Sequence, residues 1–205
     1  MTEKPIVEEI CRVLKKTNAV DFGAYKLSNG KVTPYYVDIR VIPSFPDAFK
    51  AVSDILTDTV ERVLDTQRFD RIGGIPIAGT PFAALLAFRL NKPLLYTRQN
   101  LQLRGRERRV EGVLLPGDRV LLVDDLVTTG QSLLKAASAI RAEGGVVSDA
   151  FVLLDREEGG REKLAKSGIN LRSVLMMGEA ARMLYELSVI DEEQLDIILK
   201  QIKKG

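Results

Sequence analysis

One stretch constrains the fold of this chain more than any other: Val120-Leu-Leu-Val-Asp-Asp-Leu-Val-Thr-Thr-Gly-Gln-Ser132. An apolar run ends abruptly in Asp124 and Asp125 and passes through a turn of small hydroxyl residues and glycine. It then leads into residues 131–141, where Leu133, Ala137 and Ile140 recur at helical spacing. The pattern predicts a buried strand closed by the two acids, then a loop, then a helix. The first turn of such a helix carries unpaired N–H groups and the positive end of the helix dipole, and Thr128, Thr129, Gly130 and Ser132 surround it. An anion, phosphate above all, belongs there. The two acids would repel that anion unless they face another part of the same ligand. A sugar phosphate resolves the conflict, with its hydroxyls on the carboxylates and its phosphate on the N–H groups.

The rest of the composition narrows the chemistry. A chain of 205 residues, 45% hydrophobic, suffices for one α/β domain with a single core. The net charge of +2 is too small for a nucleic-acid binder, although Arg98, Arg104, Arg106, Arg108 and Arg109 crowd into twelve residues. Cys11 is the only cysteine, which excludes an internal disulfide, and its place in the first helix predicts a buried filler. Without histidine, the commonest general base and the usual zinc ligands are absent. No run approaches the roughly 20 apolar residues that span a bilayer and no N-terminal stretch resembles a signal peptide, so a soluble, cytoplasmic protein is expected.

Along the chain, residues 5–15 read as a helix, and residues 20–40 as two strand-like segments joined by Ser28-Asn29-Gly30 into an antiparallel ribbon. Residues 45–65 predict an amphipathic helix with Ala48, Val52, Ile55, Leu56, Val60, Val63 and Leu64 inward. A short strand at 71–75 runs into a glycine-flanked loop, and Thr80-Pro81 supplies an N-cap and first-turn proline for the next helix. A strand at 93–98 precedes a long arginine-rich loop. Later come a strand at 146–154 delivering Asp155-Arg156-Glu-Glu-Gly-Gly160, a helix at 161–167, a strand at 170–176 and a helix at 178–187. The last helix opens on Asp191, with Gln194 at its third position.

The segment from Val120 to Gly130 resembles the phosphoribosyl pyrophosphate (PRPP) signature of the type I phosphoribosyltransferases. The resemblance implies an α/β fold, a central mainly parallel sheet flanked by helices with a small N-terminal hood. It would be one domain over residues 1–205, with the hood at about 1–40, the core at about 45–178 and a helical tail at about 179–205. It implies a PRPP site formed by Asp124, Asp125, Leu126, Val127, Thr128, Thr129, Gly130, Gln131 and Ser132, with Arg98 and the main-chain N–H groups of Ile77, Ala78 and Gly79. The family often has a cis peptide in that last loop.

Two further phrases narrow the resemblance to the orotate phosphoribosyltransferases: Phe22-Gly-x-Tyr-x-Leu-x-x-Gly30 followed by Thr33-Pro-Tyr-Tyr-Val-Asp38, and Asp155-Arg156. They imply that Tyr35 or Tyr36 lies against the base with Thr128 beside it, and that Arg156 pairs with the orotate carboxylate. The family pattern Tyr-x-Arg-Lys-x-x-Lys-x-His-Gly falls on residues 96–105, where this chain keeps Tyr96, Arg98 and Gly105 but has Gln99, Gln102 and Arg104 at the lysines and histidine. Arg104 therefore joins Asp124 and Asp125 as a catalytic candidate, with Arg106, Arg108 and Arg109 as further cations.

The implied reaction makes orotidine 5′-monophosphate and pyrophosphate from orotate and PRPP in pyrimidine synthesis. Orotate is already an anion and needs no protein base. Mg²⁺ would be held through substrate and water, with Asp124 or Asp125 the side chains nearest to it. A homodimer is implied, each loop reaching toward the neighbouring site, with no nucleic-acid or membrane partner. Two alternatives stay open: a transferase for another base, and a silent paralogue that only binds PRPP or a nucleotide.

Overall fold

The computed structural model describes residues 3–26, 32–98 and 109–203. The expected Ser28-Asn29-Gly30 turn and the loop residues Gln99, Gln102, Arg104, Arg106 and Arg108 lie outside the described residues.

The chain opens with helix α1 (Lys4–Lys16), whose Val7, Ile10, Cys11 and Leu14 are buried. Strands β1 (Val20–Lys26) and β2 (Val32–Val37) form an antiparallel ribbon separate from the main sheet, with Phe22 opposite Tyr35. A 3-10 helix (Ile39–Ser44), capped by the Asp38 carboxylate on the Arg40 N–H, leads into α2 (Pro46–Val63). The expected inward face of α2 holds except at Val63, which is 43% exposed. The helix ends there, and Leu64, extended rather than helical, takes the buried place.

A six-stranded sheet follows, built from β3 (Arg71–Gly74), β4 (Leu94–Thr97), β5 (Val110–Glu111), β6 (Arg119–Val127), β7 (Val146–Asp155) and β8 (Asn170–Met176). Its order is β5-β4-β3-β6-β7-β8, parallel throughout except for the edge strand β5. Helices α3 (Thr80–Arg89), α4 (Gln131–Ala142), α5 (Gly160–Lys166), α6 (Met177–Glu186) and α7 (Glu192–Ile202) complete the fold. Side chains alternate along the central strand. Leu121 and Val123 join a core with α1, α2, α3 and α6, whereas Val120 and Leu122 join a second core with α4 and α5. Strands covered on both faces are continuous apolar runs, as the sequence of β6 shows.

Two local expectations are corrected. Thr80 is the first residue of α3 rather than its cap, because Gly79 precedes it as N-cap with helical angles of φ −75° and ψ −22°. The acids do not close their strand: β6 runs on to Val127, since Leu126 and Val127 pair with Leu154 and Asp155 of an equally long β7. The tail behaves as its sequence predicts, with a reciprocal capping box between Asp191 and Gln194 and Ile198 fully buried. Among the described residues no helix is long and apolar enough to cross a membrane.

Candidate active site

Strand order places the site. The chain steps from β3 outward to β4 in one direction and from β6 to β7 and β8 in the other, so β3 and β6 flank the point where the winding reverses. Ligands of open α/β sheets collect beyond the carboxyl ends of strands at such a point. Here the loops after β3 and β6 enclose a cavity of about 220 Å³, lined by Ile75, Pro76, Ala78 and the continuous run Asp124 to Leu133. Thus Asp124, Asp125, Leu126, Val127, Thr128, Thr129, Gly130, Gln131 and Ser132 come together as the sequence predicts. Gly130 has φ +73°, a left-handed conformation suited to glycine, and from it α4 starts with first-turn N–H groups that have no partner inside the helix.

The opposite wall is fixed by close approach. Ile75 N–H donates to the Val123 carbonyl at 3.0 Å, and Gly79 N–H to the Ile75 carbonyl at 3.0 Å. A Cβ on Gly79 would stand 2.6 Å from Asp124 Cα, so only glycine lets this loop lie against the acid-bearing strand. The Pro76–Ile77 peptide is cis. Ala78 lines the cavity, while the Ile77 side chain stands in solvent, which leaves only its main chain for a ligand.

Asp124 and Asp125 are buried, and the Asp125 N–H donates to Asp124 Oδ1 at 2.9 Å. Burial, then the neighbouring Asp125 charge, holds the Asp124 carboxyl well above the ordinary carboxylate range, and burial raises Asp125 too. The Arg40 guanidinium opposes the second shift. Arg40 grips both Asp38 oxygens, at 2.7 and 2.8 Å, and donates to the Tyr36 hydroxyl at 2.9 Å.

Tyr35 and Arg156 stand apart from the cavity. Arg156 is 1% exposed and lies under the ribbon, its guanidinium 4.5 Å from the centre of the fully buried Tyr35 ring. Its Nη2 reaches Thr33 Oγ1 at 3.2 Å and Glu158 at 2.8 Å. Asp155, the last residue of β7, is a scaffold: it accepts the Glu157 N–H at 2.9 Å and the side chain of Arg161 at 3.0 and 3.2 Å. Arg156 is tied to the end of β6 through its N–H, which donates to the Val127 carbonyl at 3.0 Å. A second cavity of about 640 Å³ shares Ile75, Pro76 and Ser132 with the first and is walled by Arg98, Arg109 and Lys135. Arg98 pairs there with Glu111. Arg104 falls outside the described residues.

Sequence reasoning missed Arg40, Thr33 and Glu158 as neighbours of the site. Arg40 and Thr33 stand within or beside the quoted ribbon phrase and Glu158 within the Asp-Arg-Glu-Glu run, but only the folded ribbon shows which carboxylate each arginine meets.

With this geometry in hand, comparison with known proteins is specific. The family model of the phosphoribosyl transferase domain matches residues 44–178. The orotate phosphoribosyltransferase of Staphylothermus marinus is 37% identical over 205 residues, covering 100% of this chain and 98% of its own. That of Sulfolobus acidocaldarius is 40% identical over 183 residues, covering 89% and 90%. Among solved structures, the orotate phosphoribosyltransferase of Aeropyrum pernix superposes with a TM-score of 0.74 at 36% identity, covering 87% of this chain and 99% of that one. The UMP synthase of Leishmania donovani gives 0.86 at 29% identity, covering 97% of this chain and 42% of the longer protein. The chain therefore belongs to the phosphoribosyltransferase family, within its orotate phosphoribosyltransferase branch.

Proposed function

We propose that this protein transfers the 5-phosphoribosyl group of PRPP to orotate, releasing pyrophosphate and forming orotidine 5′-monophosphate, a step of pyrimidine nucleotide synthesis in the cytoplasm. The observation that carries the reading is one cavity joining a buried carboxylate pair to a helix N-terminus, beside a strand that ends at Asp155 and is followed directly by Arg156. The 5′-phosphate sits on the N–H groups of Thr128 to Ser132, and the ribose hydroxyls donate to Asp124 and Asp125. Pyrophosphate lies along the main chain of Ile77 to Gly79 and toward Arg98, with Arg104 of the following loop closing over it.

Displacement at the ribose anomeric carbon passes through an oxocarbenium-like state. The C–O bond to pyrophosphate breaks with its electron pair leaving on pyrophosphate, and the bond from the orotate ring nitrogen to the anomeric carbon forms. The proton of that nitrogen passes to a pyrophosphate oxygen, so no protein base is needed. The buried acids, costly to ionise without a ligand, are relieved by hydroxyl donors in the ground state and more by positive charge on the ribose in the transition state. Interactions that strengthen in this way accelerate the chemical step. Arg156 receives the orotate carboxylate, and Tyr35 or Tyr36 covers the base with Thr128 at its edge.

Among the described residues no three His, Cys, Asp or Glu side chains gather as metal ligands. In this reading Mg²⁺ would be held mostly through substrate oxygens and water, with Asp124 or Asp125 the side chains nearest to it. The electron-rich Asp124 and Asp125 pair fits a hard divalent ion at its edge. Mg²⁺, when bound, neutralises charge on the departing pyrophosphate. A homodimer belongs to the same reading, and Phe88 on α3, 82% exposed, offers apolar surface for it. Turnover with PRPP across orotate, uracil and adenine tests the assignment: orotate alone should react, and reaction with a base lacking a carboxylate would overturn it.

A further inference from the structure

The surroundings of Arg156 carry an inference about base recognition that rests on the reading above. A guanidinium buried to this degree needs a counter-charge. Two glutamates follow it in sequence, and the first is already engaged, because Glu157 Oε2 accepts the Gly178 N–H at 2.6 Å. Glu158 is the partner, 2.8 Å from Nη2, with both side chains almost wholly buried. Yet the pair is a charge contact and not a directed hydrogen bond. Glu158 Oε1, Arg156 Nε and the Tyr35 hydroxyl are all buried without a hydrogen-bond partner. Buried polar groups seldom stay unsatisfied, and three around one guanidinium mark a place prepared for another group.

We propose that Glu158 is a built-in competitor for the carboxylate of the base: it neutralises Arg156 when the site is empty and gives way when a ligand carboxylate takes the guanidinium in the bidentate fork that Glu158 does not make. The arrangement sets affinity for substrate and product alike, since both carry the same carboxylate. A ligand that brings a carboxylate must displace Glu158, which tempers its binding and speeds its release. A ligand without one leaves the ion pair intact and gains nothing from Arg156. Glu158 is a positioning residue, acting on the ligand only through Arg156.

The test compares orotidine 5′-monophosphate with uridine 5′-monophosphate, which lacks only the carboxylate, on wild type and Glu158→Gln by titration calorimetry. The expected result is about tenfold tighter binding of orotidine monophosphate to Glu158→Gln, through slower release, with uridine monophosphate changed less than about twofold. The free protein should melt lower in Glu158→Gln, and the stabilisation on adding orotidine monophosphate should grow, which a merely structural glutamate would not produce. Glu158→Asp, which keeps the charge one methylene further back, carries the same test in milder form. A wild type that prefers orotidine monophosphate while both variants gain nothing, or gain equally for both nucleotides, overturns the role of Glu158 alone. A wild type that holds both nucleotides equally overturns the assignment of the base, and this inference with it.

Discussion

Replacing Gly79 by alanine tests whether the contact between the β3 loop and the acid-bearing strand builds the site. Gly79 has φ −75°, so alanine meets no backbone penalty and only space opposes it. The added methyl would lie 2.6 Å from Asp124 Cα, 2.7 Å from Asp124 Oδ1 and 2.7 Å from the Val123 carbonyl, where ordinary contact starts at 3.4 Å. Two of these atoms are main chain and cannot swing aside, so the two walls must part by about 0.8 Å. Overpacking of this kind costs roughly 1–3 kcal/mol. At about 2–4 °C per kcal/mol for a chain of this size, Tm should fall by about 2–12 °C. The same displacement separates the main chain of Ile77 to Gly79 from Asp124, and misplacement near 1 Å can cost on the order of 100-fold in rate. Initial rates at varied PRPP should therefore show kcat/KM lower by about 10- to 100-fold. Gly168→Ala is the control, since Gly168 has φ +72° with nothing within 4 Å of an added Cβ; it should lose stability and keep its PRPP kinetics. Gly79→Ala with wild-type kcat/KM would refute the argument.

Other substitutions separate the remaining roles. Arg156→Ala should raise KM for orotate by about 30-fold or more while PRPP changes only a few-fold, because a carboxylate deprived of a buried charged partner loses about 2–5 kcal/mol; equal effects on both substrates would give the arginine another job. It should also lower stability by about 3–5 kcal/mol, read from urea unfolding, as Glu158 is left buried and unpaired. Asp124→Asn should abolish turnover yet stabilise the fold at pH 7. The native carboxyl is shifted up from 3.8 by burial and by Asp125, so the folded state binds the proton more tightly and wild-type stability falls as pH rises through the raised value. The gain should vanish below about pH 4, where both states are protonated. Asp191→Ala should remove the capping box, cost about 1 kcal/mol in thermal unfolding and leave kinetics unchanged.

The sequence is most legible where local rules and tertiary context agree. The strand Asn170–Met176 and the Asp191–Gln194 cap stand where periodicity and capping chemistry put them. The loop from Thr128 to Ser132 was readable because its residues are contiguous, and a contiguous run forms most of the cavity wall. Errors arose where a neighbour decides. Two acids look like the end of a buried strand, yet the partner β7 carries β6 on to Val127 and buries both carboxylates. Val63 fits the helical stripe of α2, but the helix stops there and Leu64 turns inward in its place. The pairing of Arg156 with Glu158 under Tyr35 joins β2 to the β7 loop across more than a hundred residues, and periodicity carries no information about such a meeting.

The central claim is that this site joins PRPP to orotate, and the most direct measurement is orotate absorbance on mixing the protein with PRPP and Mg²⁺. The account predicts a steady loss of orotate absorbance matched mole for mole by pyrophosphate release, and none when PRPP is omitted. Unchanged absorbance in a sample shown by calorimetry to bind PRPP would contradict it.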